Sequence, residues 1–120
     1  MRNSLYTFAA LAGAVMGAVP ANAETPAQLD ILSRATDQPE TGVTLARSQI
    51  AKGDLLDAMA SLERTLFNFP ENDEARALHA GLLCRIGDRR GALVEFDTMR
   101  GREIPASLNE EARAPCRDGG

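Results

Sequence analysis

Disulfide formation is the chemistry that the two cysteines of this chain, Cys84 and Cys116, indicate by their number. An even cysteine count in an exported protein is typical of a disulfide-bonded fold. Two cysteines are too few for a structural zinc site, and the sequence lacks the C-x-x-C spacing of redox and haem-binding motifs. We therefore expect a disulfide between Cys84 and Cys116, with two free thiols as the alternative.

Other residue types that support catalysis occur without the partners that catalysis needs. His79 is the only histidine, so it has no partner set for metal binding or a nucleophilic triad, and we expect it to pack or to lie partly exposed. Carboxylates such as Glu71, Asp73 and Glu74 lie at expected helix starts, where they complement the helix dipole. No phosphate-binding loop or hydrolase motif occurs. The sequence predicts a non-enzyme with no catalytic residue, metal or cofactor.

The amino-terminal segment, 1–23, has the pattern of a secretory signal peptide. Arg2 supplies a positive amino-terminal region, an uncharged apolar run covers residues 5–19, and Ala21-Asn22-Ala23 matches a cleavage signal. An uncleaved membrane anchor is the alternative, but the run is shorter than the roughly 20 residues that a spanning helix needs. We expect cleavage after Ala23, a periplasmic mature chain and no membrane insertion of that chain.

The charge of the expected mature chain argues against polyanionic partners. The full chain has 13 basic and 17 acidic residues, and loss of Arg2 with the signal peptide leaves 12 against 17, a net charge of −5. Acidic domains are repelled by nucleic acid and by anionic membranes. We therefore expect no nucleic-acid partner. The chain has no tryptophan and its one tyrosine, Tyr6, lies in the expected signal peptide, so an aromatic-lined pocket is not expected either.

The spacing of apolar residues predicts an all-α mature chain. A capping box from Thr25 to Gln28 is expected to begin a leading helix. A second capping box, from Ser107 to Glu110, is expected to begin a short helix that ends before Pro115. The full set of predicted helices covers residues 26–36, 41–52, 55–68, 73–86, 89–100 and 108–113.

A Gly-Asp pair occurs twice, at 53–54 and at 87–88, and indicates an internal repeat. In each pair the glycine suits the left-handed end of one helix and the aspartate suits the cap of the next. The same skeleton surrounds both pairs. A small residue precedes each glycine, and an alanine and then a bulky apolar residue follow it at matching offsets: Ala46, Ala58 and Leu62, then Ala80, Ala92 and Phe96.

This pattern resembles the tetratricopeptide repeat (TPR) family over residues 39–108. The resemblance implies an α-solenoid in which the small residues let the two helices of a repeat approach closely, while Leu62 and Phe96 fill the space between repeats. The chain departs from the family where a large aromatic residue is usual, since Gly42 and Arg76 stand there. The implied organisation is a leading helix at 24–38, two helix-turn-helix repeats at 39–72 and 73–106, and a short capping helix with a tail at 107–120.

The resemblance also implies which residues line a concave peptide-binding groove. These are Glu40, Val43, Arg47, Ile50, Glu74, Ala77, Gly81 and Arg85, together with Ala51 and Cys84. The lysine and asparagine that hold a peptide carboxylate in some TPR proteins are absent from the matching positions, so an extended or helical segment with an apolar anchor is the expected ligand. The resemblance further implies that Cys84 faces the next helix, so that Cys116 returns beside it and ties down the capping helix.

The function implied by the resemblance is a non-enzymatic protein–protein interaction scaffold in the periplasm of a Gram-negative bacterium. The alternative is an accessory component of an outer-membrane export or polysaccharide-secretion machine, in which periplasmic TPR segments are common. In either case the expected partner is a protein or peptide.

Overall fold

The all-α prediction is confirmed. A computed structural model describes residues 24–118, and six helices without a strand make up the regular structure of that range. None of these helices is both long and apolar enough to cross a membrane. The expected signal peptide and cleavage site, at residues 1–23, lie outside the described residues. The helices are α1 (Pro26–Ala35), α2 (Pro39–Lys52), α3 (Leu55–Asn68), α4 (Asp73–Arg85), α5 (Arg89–Thr98) and α6 (Ala106–Asp118).

The leading helix begins as the sequence predicts. The Thr25 hydroxyl accepts a hydrogen bond from the Gln28 N–H at 3.2 Å, and the Gln28 side-chain oxygen accepts one from the Thr25 N–H at 2.7 Å. Pro26 occupies the first turn, where its fixed φ suits a helix. Helix α1 packs on α2, but it has no buried residue, and Leu29 and Ile31 stay exposed. It therefore adds little to the core.

Helices α2 and α3 form the first hairpin, and Gly53 makes its turn. Gly53 has a φ of 82°, a left-handed conformation in which a side chain would clash with the backbone. Asp54 stands at the cap position of α3, as expected, but its carboxylate makes no capping hydrogen bond. The prediction that Asp54 caps α3 through its side chain is therefore wrong.

Helices α4 and α5 form the second hairpin, which shows why the two turns differ. Gly87 has a φ of 89°, and the Asp88 carboxylate accepts a hydrogen bond from the Gly91 N–H at 2.8 Å. A Cβ on Gly91 would lie 2.5 Å from that carboxylate, so glycine allows the Asp88 side chain to take this conformation. The first hairpin has Asp57 at the matching position, and the negative charge of its side chain disfavours the approach of the Asp54 carboxylate.

The core consists of two clusters of buried side chains. The smaller cluster joins α4, the end of α5 and α6 through Ala77, Met99 and Ala112. The larger lies between α2, α3 and α4, and burial of its apolar surface is the main source of stability of the first hairpin. Its members are Val43, Ala46, Ala58, Met59, Leu62, Ala75, Leu78 and Leu82.

The carboxy-terminal helix is longer than the sequence predicts. Instead of ending before Pro115, α6 runs from Ala106 to Asp118 with Pro115 inside it. It begins ahead of Ser107, so the prediction of a capping box there is also wrong. A proline inside a helix costs about 3 kcal/mol, and the packing of α6 on α4 together with the neighbouring disulfide offsets that cost. The other helix boundaries lie within two residues of their predicted positions.

Candidate functional site

Helix α6 covers the face of α4 that the TPR resemblance assigns to a peptide groove. Ala77 is fully buried and packs in one cluster with Ala112. A Cβ built on Gly81 would lie 3.2 Å from the Ala112 carbonyl oxygen and 3.4 Å from its Cα. The absence of a side chain at Gly81 therefore lets the two helix backbones approach closely. Small residues on both helices make this contact possible.

The disulfide between Cys84 and Cys116 is confirmed, and it fastens the same two helices. The Cα atoms of the pair are 5.0 Å apart, and the cysteines are 32 residues apart in the chain. A cross-link of this span stabilises the folded state mainly by restricting the unfolded chain, by about 3.7 kcal/mol if strain is ignored. Cys84 is buried beneath α6. The bond therefore holds α6 against α4 near the end of α6.

Arg47 links three helices through ion pairs. Its Nη2 lies 2.9 Å from Glu74 Oε1 on α4, and its Nη1 lies 2.6 Å from Glu111 Oε1 on α6. The hydrogen bond to Glu111 raises the pKa of Arg47 above its usual value, partial burial opposes this, and the hydrogen bond to Glu74 raises it further. The three side chains are about half exposed, so each pair contributes under about 1 kcal/mol. The main effect of these ion pairs is to orient α6, because pairs this weak add little to the stability of the packed helices.

The other residues of the predicted groove are not all brought together. Ile50, Gly81 and Arg85 line a small cavity of about 190 Å³ beside α6. Glu40 is exposed, whereas Val43 is buried in the larger core cluster. Peptide binding by the whole set stays a prediction.

A buried polar network ties α4 to α5. His79 Nδ1 lies 3.0 Å from Glu95 Oε1, and Arg76 Nη1 donates to Glu95 Oε2 at 2.6 Å. The Arg76 and Glu95 side chains are each only 15% exposed, and His79 is buried, in keeping with its expected packing role. Within residues 24–118, no group of three or more His, Cys, Asp or Glu side chains is arranged so that it could hold a metal ion. The network links the two helices of the second hairpin, and Arg76, which stands where the TPR resemblance leads one to expect an aromatic residue, makes a polar contact there.

A second surface, which the sequence did not reveal, lies between α5 and α6. We call it the α5–α6 groove: Leu93 and Phe96 form its floor, and Arg89, Arg113 and Arg117 border it. This part of the groove has a volume of about 420 Å³. A neighbouring cavity of about 390 Å³ shares Leu93, Phe96 and Arg113 with it, so the two are continuous. The Arg113 guanidinium lies 4.2 Å from the centre of the Phe96 ring, within reach of a cation–π interaction.

The border of the α5–α6 groove carries positive charge in an acidic chain. Arg117 pairs with Glu110, whose hydrogen bond raises the pKa of Arg117. Arg89 and Arg113 donate to neutral carbonyl and amide oxygens at 2.9 Å, and neither forms an ion pair with any residue in the range 24–118. The 420 Å³ part is lined by three arginines and no carboxylate. It is therefore electrostatically suited to an anionic group.

The chain has no match among the protein-family models, the curated proteins or the solved structures with which it was compared. The geometry of its own surfaces is therefore the guide to function. The residues that line the α5–α6 groove include no nucleophile with an adjacent base, since Cys84 and Cys116 are bonded to each other. An apolar floor with a charged border resembles the apolar centre and polar rim of a protein interface.

Proposed function

We propose that this chain is a non-enzymatic protein–protein interaction scaffold of the bacterial periplasm, built as a TPR-like α-solenoid of two repeats. The repeat assignment is supported by burial at the positions that require small residues. Ala46, Ala58, Ala80 and Ala92 are all almost completely buried. Each hairpin also turns at a glycine with positive φ, at matching positions of the two repeats. The burial of the alanines and the positive φ of the turn glycines are therefore consistent with the repeat in the sequence.

Export is supported by the disulfide and by the sequence pattern of the segment 1–23. Structural disulfides persist in oxidising compartments such as the periplasm and are rare in the bacterial cytosol. The pair also has a structural task, because it fastens the last helix. A periplasmic location follows as part of the proposal.

The observation that carries the interaction role is the exposure of large apolar side chains on α3 and on α5. Leu56 and Phe67 on α3, and Leu93 and Val94 on α5, are all more than half exposed. Leu56 and Phe67 are about three helical turns apart and so share one face of α3, and exposed apolar surface of this kind commonly marks a site of protein association. A scaffold would use such surface to hold a partner.

Photo-crosslinking in cells tests the interaction role. A photoreactive residue replaces Phe67 or Leu93 in the full chain, and the exposed Lys52 serves as the matched polar position. We expect discrete protein adducts from at least one apolar position and none from Lys52. Absence of adducts at both apolar positions would contradict the proposal. An outer-membrane barrel or a secretion protein in the adduct would favour the accessory role in export over a general scaffold.

A further inference from the structure

We propose that the α5–α6 groove binds an acidic amphipathic helix of a partner protein. This inference rests on the proposed scaffold function and names the surface and the chemistry of the partner. Three properties of the groove lead to it: an apolar floor that lacks a cover, an elongated shape, and a positive border on which two of the three arginines, Arg89 and Arg113, form no ion pair within residues 24–118.

The first hairpin shows what covers such a floor. Met59 on α3 and Leu93 on α5 occupy matching positions of the repeat, each at the same distance from the glycine of its turn. Met59 is 8% exposed because α4 packs on α3, whereas Leu93 is 66% exposed because α6 lies on α4 and leaves most of α5 open. The element that buries the matching face within this chain is thus a helix. A partner helix laid on α5 would bury Leu93 in the same way.

The shape of the groove favours a chain segment over a small molecule. Its two parts, of about 420 Å³ and 390 Å³, meet at Leu93, Phe96 and Arg113 and run along α5. An amphipathic helix presents apolar residues at i, i+3, i+4 and i+7, a stripe that matches a groove of this form. Enclosed cavities suit small ligands better because they bury most of a ligand surface.

The charge of the border selects the partner. Arg89 and Arg113 lack ion-pair partners in the described range, so carboxylates on the flanks of an incoming helix would meet free cations. Complementary charge speeds association and disfavours other partners. A second copy of this chain is a poor occupant, because pairing of two such grooves would oppose arginine to arginine. An acidic helix with an apolar stripe satisfies both the floor and the border.

A designed peptide tests this inference on the mature chain. The probe is a fluorescent helical peptide of about 16 residues with leucine at i, i+3, i+4 and i+7 and glutamate beside the leucines. Its matched partner has lysine in place of each glutamate. We expect saturable binding of the acidic peptide by fluorescence anisotropy, weakening with added salt, and roughly tenfold weaker binding of the basic peptide.

Variants locate the binding surface. Leu93→Asp is expected to weaken acidic-peptide binding roughly tenfold or more. Val94→Asp is the matched control, since Val94 is 65% exposed on the same helix but lines neither part of the groove. Arg113→Glu is expected to shift preference toward the basic peptide, a gain that misfolding would not produce.

Several outcomes would overturn the inference: no binding of the acidic peptide, equal binding of both peptides, or equal effects of Leu93→Asp and Val94→Asp. A dimer of the unmodified chain that Leu93→Asp dissociates would show that a second copy occupies the groove instead. Failure of the groove and failure of the scaffold proposal are distinguishable. If cellular adducts form at Phe67 and survive Leu93→Asp unchanged, the scaffold stands and the groove assignment falls.

Discussion

The first and second hairpins share a plan but differ in what lies against them. Both turn at a glycine with positive φ, and both bury alanines where their helices touch. Helix α4 covers the apolar face of α3, so Met59 is buried in the core. Helix α6 packs mainly on α4 and covers only part of α5, so the matching Leu93 remains exposed to solvent. Matching positions of two similar hairpins are therefore buried in one hairpin and exposed in the other.

The difference shows that the sequence of one repeat does not by itself determine which of its apolar faces remains exposed. Each helix pair has more apolar surface than it can bury alone, and the neighbour settles which part remains open. In this chain the deciding contact is that between α4 and α6. It depends on the close approach at Gly81 and on the Cys84–Cys116 bond, both of which pull α6 toward α4.

The largest expected effect comes from placing a charge at the two matching positions. Met59→Asp would bury a carboxylate in the larger core cluster without a partner, and we expect a loss of about 4 kcal/mol or more. Leu93→Asp places the same charge in solvent, and we expect a change of about 0.5 kcal/mol or less. Urea unfolding followed by circular dichroism measures both. Similar losses at the two positions would show that α5 is covered after all.

Removal of the disulfide should have the next largest effect. In a variant that carries both Cys84→Ser and Cys116→Ser, we expect stability to fall by about 2–4 kcal/mol, since the unfolded chain gains freedom and α6 loses its tie to α4. A thermal melt with and without reductant measures this. The double variant itself is the control, because its Tm should not respond to reductant. If reductant leaves the Tm of the unmodified protein unchanged, the conclusion that the disulfide stabilises the fold is refuted.

The close contact of α4 with α6 predicts the smallest of the three effects. Gly81→Val would force the backbones apart at Ala112, and we expect a loss of about 1–3 kcal/mol. Ala51→Val is the control, since Ala51 is exposed on α2 and the change costs about 0.5 kcal/mol in helix propensity. Chemical denaturation compares the two variants. Equal losses would mean that the α4–α6 contact tolerates a side chain at position 81.

Much of the local structure was predictable because short-range signals specify it. The capping box at Thr25, the left-handed glycines of both turns and most helix ends are set by residues within a turn of one another. The length of α6 was not predictable in this way. Pro115 is a local signal for a helix end, and only packing on α4 and the bond at Cys116 make continuation favourable.

The α5–α6 groove was not predictable from the sequence either, for a related reason. In sequence, Leu93 and Phe96 look like the buried stripe of a repeat helix, since their counterparts Met59 and Leu62 are buried. Which residue is exposed depends on where α6 lies, and nothing near Leu93 in the chain encodes that. Arg113 comes to the same groove from another helix, and its contact with Phe96 exists only in the folded protein.

The sequence by itself determined the helical class and the glycine turns of the two hairpins, because these depend on neighbouring residues. The count of two cysteines allowed a single pairing but left two free thiols as the alternative. The tertiary structure alone decided which apolar face is closed and which is open. Helix α6 could pack against α4 or against α5, and the surface that it packs against is the one that is buried. Contact at Gly81 and the disulfide at Cys84 both stabilise α6 on α4, and Leu93 and Val94 on α5 stay exposed.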